Sequence, residues 1–132
     1  MMNSTSLSNP GSGHGTILLV DDDQNVRLVI EKSLQRLGYL VLSAVDGPNA
    51  LSVANAHSGP IDLLLTDVLM PKMSGVNLAK QLRNRRGTLR VIFMSSMLGE
   101  DGISRRNGDG FLRKPFSFEA LTEEVRKVLR PA

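Results

Sequence analysis

A chain of 132 residues is long enough for one domain with a core of its own, and its lack of cysteine excludes a disulfide framework or a thiolate metal site. The formal net charge of +3 is a small basic excess, and with no Trp and one Tyr there are few stacking platforms for bases, which argues against a nucleic-acid partner. Unbroken apolar runs stop at about four residues, far too short to cross a bilayer.

Residues 1–15, "MMNSTSLSNPGSGHG", are rich in Ser, Asn and Gly and carry no Asp, Glu, Lys or Arg. They have no basic n-region and no apolar h-region, so they read as a linker or cloning remnant rather than a signal peptide. From residue 16 to residue 131 the pattern is that of one domain. Ile17 to Val20 is a short apolar run, expected as a buried strand. Asn25 to Leu37 follows with Val26, Val29, Ile30, Leu34 and Leu37 on one helical face, Asp23 as N-cap and Gly38 as stop. Tyr39 to Ala44 is a second strand. Pro48 suits the first turn of a second helix carrying Ala50, Leu51, Val53 and Ala54, and "SGP" at 58–60 ends it. Ile61 to Thr66 is the third and most hydrophobic strand. Ser74 and Gly75 open a third helix whose end is basic, with Arg83, Arg85 and Arg86. Leu89 to Met94 is a fourth strand, Phe111 and Leu112 belong to a short fifth, and Ser117 caps a last helix that Pro131 stops.

Apolar strands separated by helices imply a parallel sheet covered on both faces: a doubly wound, five-stranded α/β fold. Ligands of such folds sit beyond the carboxyl ends of the strands. That edge receives Asp21, Asp22 and Asp23 from the first strand, Asp67 from the third, Ser95 and Ser96 from the fourth, and Lys114 and Pro115 from the fifth. Each has an ordinary reading alone: a cap, a satisfied hydroxyl, a surface lysine. Clustered carboxylates repel, so together they share a proton or hold a hard cation, and an oxygen-only set points to Mg²⁺, with Mn²⁺ as substitute. A carboxylate facing that cation and a lysine is suited to accept a phosphoryl group, whose oxygens the two cations neutralise.

The segments "ILLVDDD", "DLLLTDVLMPKMSG", "VIFMSS" and "FLRKPF", in this order, resemble the receiver domain of two-component response regulators. The likeness covers residues 16–130. It implies the flavodoxin-like strand order 2-1-3-4-5 and a cytoplasmic phosphorelay domain. Asp67 is then the phosphoacceptor and Asp22 a direct Mg²⁺ ligand. The Leu69 main-chain carbonyl is a further ligand, and Asp21 acts through water. Ser95 is the switch hydroxyl and Phe111 the aromatic partner of the switch. Lys114 bridges to the phosphoryl group, and its peptide bond to Pro115 is cis. The implied donor is a histidine kinase or histidine phosphotransfer protein, with an effector domain or a covalently linked kinase as further partner. No membrane contact is implied. "DLLLTDVLMP" and "VIFMSS" look especially like the C-terminal receivers of hybrid histidine kinases.

The stretch from Ser96 to Arg113 is short for that family and contains four glycines. The fourth helix expected there is therefore short or absent, which puts dimerisation through that face in doubt and leaves a monomer or weak dimer. Leu69 and Met97 flank the site with apolar side chains and Ser96 is small, so no residue orients an attacking water and self-dephosphorylation is expected to be slow. Partner specificity is expected on Asn25, Arg27 and Leu28. A Mg²⁺-dependent nuclease or phosphatase would need a further acid where Lys114 stands. A pseudo-receiver that binds without phosphorylation would lack Asp67, Asp22 or Lys114, and all are present. Arg83, Arg85, Arg86 and Arg90 are expected to form a solvated basic face.

Overall fold

The computed structural model describes residues 15–96 and 108–130. Five strands, β1 (Thr16–Val20), β2 (Leu40–Ala44), β3 (Leu63–Asp67), β4 (Arg90–Ser95) and β5 (Gly110–Arg113), form one parallel sheet in the order β2-β1-β3-β4-β5. Among the described residues four helices, α1 (Gln24–Arg36), α2 (Gly47–Ala56), α3 (Gly75–Arg85) and α4 (Phe118–Leu129), cover it. The expected helix between β4 and β5 falls at residues 97–107, outside the described residues.

Side chains along a strand alternate between faces, so each strand feeds two cores. Ile17, Leu19, Leu63, Leu65, Ile92 and Met94 pack against Ile30 and Leu34 of α1 and Leu121 and Val125 of α4. Leu18, Val20, Leu64, Val91 and Phe93 pack on the other face against Ala50 and Ala54 of α2 and Leu78 and Leu82 of α3. Burying a Leu or Ile side chain fully is worth about 1.5–3 kcal/mol, and these layers hold the strand ends rigidly in register.

Helix starts follow local chemistry. Asp23 accepts from the Asn25 and Val26 amides, Ser74 from Asn77 and Ser117 from Ala120, as expected of N-caps. Asp46, which caps α2 through the Asn49 amide, was not foreseen. Several boundaries differ from the sequence reading: β1 begins at Thr16, α1 spans Gln24–Arg36 and β4 spans Arg90–Ser95, and three further differences follow. The third strand begins at Leu63, because the Asp62 carboxylate turns back to accept from the Thr16 amide at 2.8 Å, and it runs through Asp67. The second begins at Leu40, with Tyr39 buried just before it. The third helix ends at Arg85, and its C-cap Arg86 turns its guanidinium onto another helix end. One face assignment also fails: Val29 is 66% exposed, because Ile30 and Leu34 already fill the contact between α1 and the sheet.

The edge strand β5 is tied to α4. The Phe111 amide donates to Glu124 Oε2 at 2.9 Å, so the helix covers part of the strand's open side.

Candidate phosphoryl-acceptor site

The acids gather where β1 and β3 end. Asp21 and Asp67 are buried, Asp22 is exposed, and one carboxylate oxygen from each lies within 4.8 Å of the others. Lys114, delivered by the turn after β5, reaches back between two of them. Its Nζ lies 2.8 Å from Asp21 Oδ2 and 2.7 Å from Asp67 Oδ1. The Lys114–Pro115 peptide bond is cis. The main chain is fixed on the β4 side too, where the Lys114 amide donates to the Ser95 carbonyl.

Asp67 is held from behind. Thr66 Oγ1 donates to its carbonyl, and Gly75, at the start of α3, sits so close that a Cβ there would overlap the same oxygen. The Gly75 amide donates to the Val68 carbonyl at 2.8 Å. A glycine is therefore required for the helix to begin this near the strand end. The Asp21 side chain accepts from the Asp23 amide at 2.9 Å. Its main-chain carbonyl accepts from Arg27 Nη1 at 2.7 Å. Arg27, assigned from the sequence to partner specificity, thus has its guanidinium engaged with the acidic loop. The sequence signal is spacing alone: Arg27 stands one helical turn beyond the cap Asp23, on the turn next to the acidic loop.

The electrostatics are those of incompletely neutralised acids. Burial pushes the Asp67 carboxyl up to about 7; Lys114 opposes the shift through its ion pair and Asp21 reinforces it. Burial works against the Lys114 charge, but its bonds to Asp21 and Asp67 outweigh that and raise it above the ordinary lysine value. One ammonium does not satisfy three carboxylates. The donors are all oxygen, which fits a hard divalent cation, and Asp22 leaves an open side for it.

A cleft of about 280 Å³ lies over this group, lined by Asp21, Asp22, Asp67, Leu69, Ser95 and Lys114 among others. Leu69 stands 63% exposed at its rim, and Ser96 is exposed beside it. Phe111 is half-buried on β5, paired in register with Phe93 and packed against the core of the α2 and α3 face. The structure thus brings Asp21, Asp22, Asp67, Leu69, Ser95 and Lys114 to one cleft and sets Phe111 one strand aside. Met97 lies outside the described residues. The expectation of a solvated basic face holds for Arg85 and Arg90, which are exposed, and not for Arg83 and Arg86, which are half-buried; Arg85 also donates to Asn55 Oδ1. Arg86 donates to the carbonyls of Ala54, His57 and Gly59, Arg90 to those of Val128 and Arg130, and Arg83 to Leu89 and to the Asp109 carboxylate. Among the described residues no helix is long and apolar enough to cross a membrane.

Comparison with known proteins follows the same geometry. A family model described as the response regulator receiver domain matches residues 17–126. The sensor kinase CckA of Brucella abortus is 38% identical over 122 residues, covering 89% of this chain and 13% of the kinase. The chain spans about half the length of other curated relatives, such as the response regulator MprA of Mycobacterium leprae, 37% identical over 120 residues with 86% of this chain and 50% of that protein covered. The crystal structure of the receiver domain from the hybrid histidine kinase CckA superposes with a TM-score of 0.76 at 40% identity, over 88% of this chain and 100% of that one. The response regulator TrrA of Thermotoga maritima, solved with Mg²⁺ and BeF, gives 0.76 at 32% identity over 88% and 100% of the two chains. A structure of the histidine kinase ThkA in complex with TrrA gives 0.72 at 30% identity, over 88% and 99%.

Proposed function

The chain belongs to the response regulator receiver domain family and is a receiver of two-component signal transduction, and from that premise we propose that Asp67 accepts its phosphoryl group from a phosphohistidine. The observation that carries this is the placement of Asp67 at a buried strand end, 2.7 Å from Lys114 and within one cluster with Asp21 and Asp22. A carboxylate oxygen of Asp67 attacks phosphorus, the P–O bond forms as the P–N bond breaks, and the imidazole of the donor leaves with the electron pair. Lys114 stands where it can follow one phosphoryl oxygen, and the Ser95 hydroxyl lines the same cleft.

In this reading Asp22, Asp67 and the main-chain carbonyl of Leu69 would hold Mg²⁺, with Asp21 acting through water; the clustering of the Asp21, Asp22 and Asp67 carboxylates supports it. Bound there, the cation would neutralise charge on the transferring group and favour the ionised form of Asp67. The domain catalyses no reaction beyond its own phosphorylation and dephosphorylation. The second of these is slow, because the residue at the rim beside Asp67, Leu69, is apolar and cannot orient a water. Ser95 and Phe111 carry the phosphorylation signal to the β5 surface.

The donor, a histidine kinase or histidine phosphotransfer protein, docks on α1. Leu28 and Val29 are exposed there, and an apolar groove of about 510 Å³ between α1 and the turn after β5 opens beside Lys114.

Intact mass after incubation with acetyl phosphate tests the assignment. A phosphoryl adduct is expected with Mg²⁺, absent with chelator and absent in Asp67→Asn. An adduct that persists in Asp67→Asn overturns it. A phosphoryl half-life of seconds overturns the slow-hydrolysis reading alone.

A further inference from the structure

The loop from Val68 to Ser74 presents the Leu69 carbonyl, and it is braced from outside the site. Its far end lies on the turn that opens α2. Gly47 is buried there, and a Cβ built on it would stand 2.7 Å from both Cβ and Sδ of Met73. Beside this contact Lys72 Nζ lies 3.3 Å from Asp46 Oδ2. The loop has little slack at this point. Lys72 holds a positive φ of 74°, the Met73 amide donates to the Pro71 carbonyl at 2.8 Å, and at Gly75 an added Cβ would overlap the Asp67 carbonyl oxygen.

A methyl on residue 47 cannot be accommodated by a rotamer change alone, because Met73 Cβ is fixed to the backbone. The backbone must give at this contact, and a shift of the loop is passed along the chain through Met70 to Leu69. From this we infer that Gly47 and Met73 form a backstop that sets the position of the Leu69 carbonyl, so that the β2–α2 turn is a positioning element for the divalent cation although none of its atoms touches the site. The inference rests on the reading of the Leu69 carbonyl as a cation ligand.

The test is calorimetric titration of the full chain with Mg²⁺. Gly47→Ala is expected to weaken Mg²⁺ binding about tenfold, the scale seen when groups that orient metal ligands are disturbed. Adding Met73→Gly, which removes the opposed Cβ, should recover most of that loss. Val128→Ala, at the opposite end of the sheet, should lower the melting temperature and leave Mg²⁺ affinity within about twofold of the parent. Where Gly47→Ala does not fold, Met73→Val crowds the contact from the loop side, and its Mg²⁺ affinity must fall. Unchanged affinity in the folded variant, or no recovery in the double variant, overturns the inference while leaving the site assignment standing. If the parent chain shows no Mg²⁺ binding that Asp22→Asn abolishes, the site assignment itself fails, and the inference with it.

Discussion

The two ends of the sheet hold their charges in opposite ways. At the amino end three arginines, Arg83, Arg86 and Arg90, are each engaged with protein oxygens. Arg86 closes the C-terminus of α2 by donating to three carbonyls at 3.0–3.1 Å. Arg90 does the same for the end of α4, and Arg83 pairs with the buried Asp109. These are the orphan carbonyls that every helix end leaves, and a cation at that pole is favourable. At the carboxyl end three carboxylates meet one ammonium, and Asp67 stays pushed up to about 7. A charge whose partners are complete is architecture. A charge cluster left short of counter-charge is a site prepared for something that arrives later, here a cation and a phosphoryl group.

If that contrast is right, mutations at the two poles must separate stability from binding. The largest effect is expected from Arg86→Ala, which leaves three partly buried carbonyls without their donor: a loss of about 3 kcal/mol in urea unfolding, with Mg²⁺ affinity unchanged. A fall in Mg²⁺ affinity of the same order would erase the distinction. Lys114→Met at the other pole should cost about 2 kcal/mol without metal, because it strips the acids of their one counter-charge. It should also bind Mg²⁺ more tightly than the parent, since a competing positive charge is gone, while losing phosphoryl transfer. Weaker Mg²⁺ binding in that variant would mean that Lys114 organises the acids rather than opposing their repulsion.

The pH dependence sharpens the same point. In the unfolded chain Asp67 releases its proton near 3.8, and in the folded chain at about 7. Between those values the folded state holds the extra proton, so metal-free stability should fall as pH rises through that window and level off above it. Thermal melts in chelator across this range should show the slope, and Asp67→Asn should reduce it. The smallest effect belongs to Arg90→Ala, about 1 kcal/mol, because of its two acceptors only the Val128 carbonyl is partly buried, and water can replace the bond to the Arg130 carbonyl.

Much of this was legible in the residues. The apolar runs gave the five strands because a buried parallel strand has no polar face to confuse the pattern. Asp23, Ser74 and Ser117 announced their helices because a cap acts within three residues. The acids and Lys114 could be placed at one edge once the strand ends were known. What local pattern could not supply was partnership across the fold. Val29 lies within the apolar stripe of α1, yet whether it meets the sheet depends on how Ile30 and Leu34 seat the helix. Arg86 reads as a surface cation until Ala54, His57 and Gly59 are seen beside it, about thirty residues away in sequence. Ile61 and Asp62 belong to an apolar run, but the strand begins at Leu63, with the Asp62 carboxylate accepting from the Thr16 amide. Gly47 looks like any turn glycine, and its tight contact with Met73 appears only in three dimensions.

The bond from the Phe111 amide to Glu124 bears on how these molecules behave when crowded. A parallel sheet has two rims, and a foreign strand can add wherever a rim offers free amides and carbonyls. On β5 the carboxylate of α4 occupies one of those amides and places negative charge along the rim, while on β2 Leu40 is exposed and, among the described residues, no carboxylate is bonded to the rim amides. A rim whose amide is already occupied, and which carries a negative charge, is a poorer template for a foreign strand, so Glu124→Ala is expected to increase thioflavin-positive aggregate at high protein concentration.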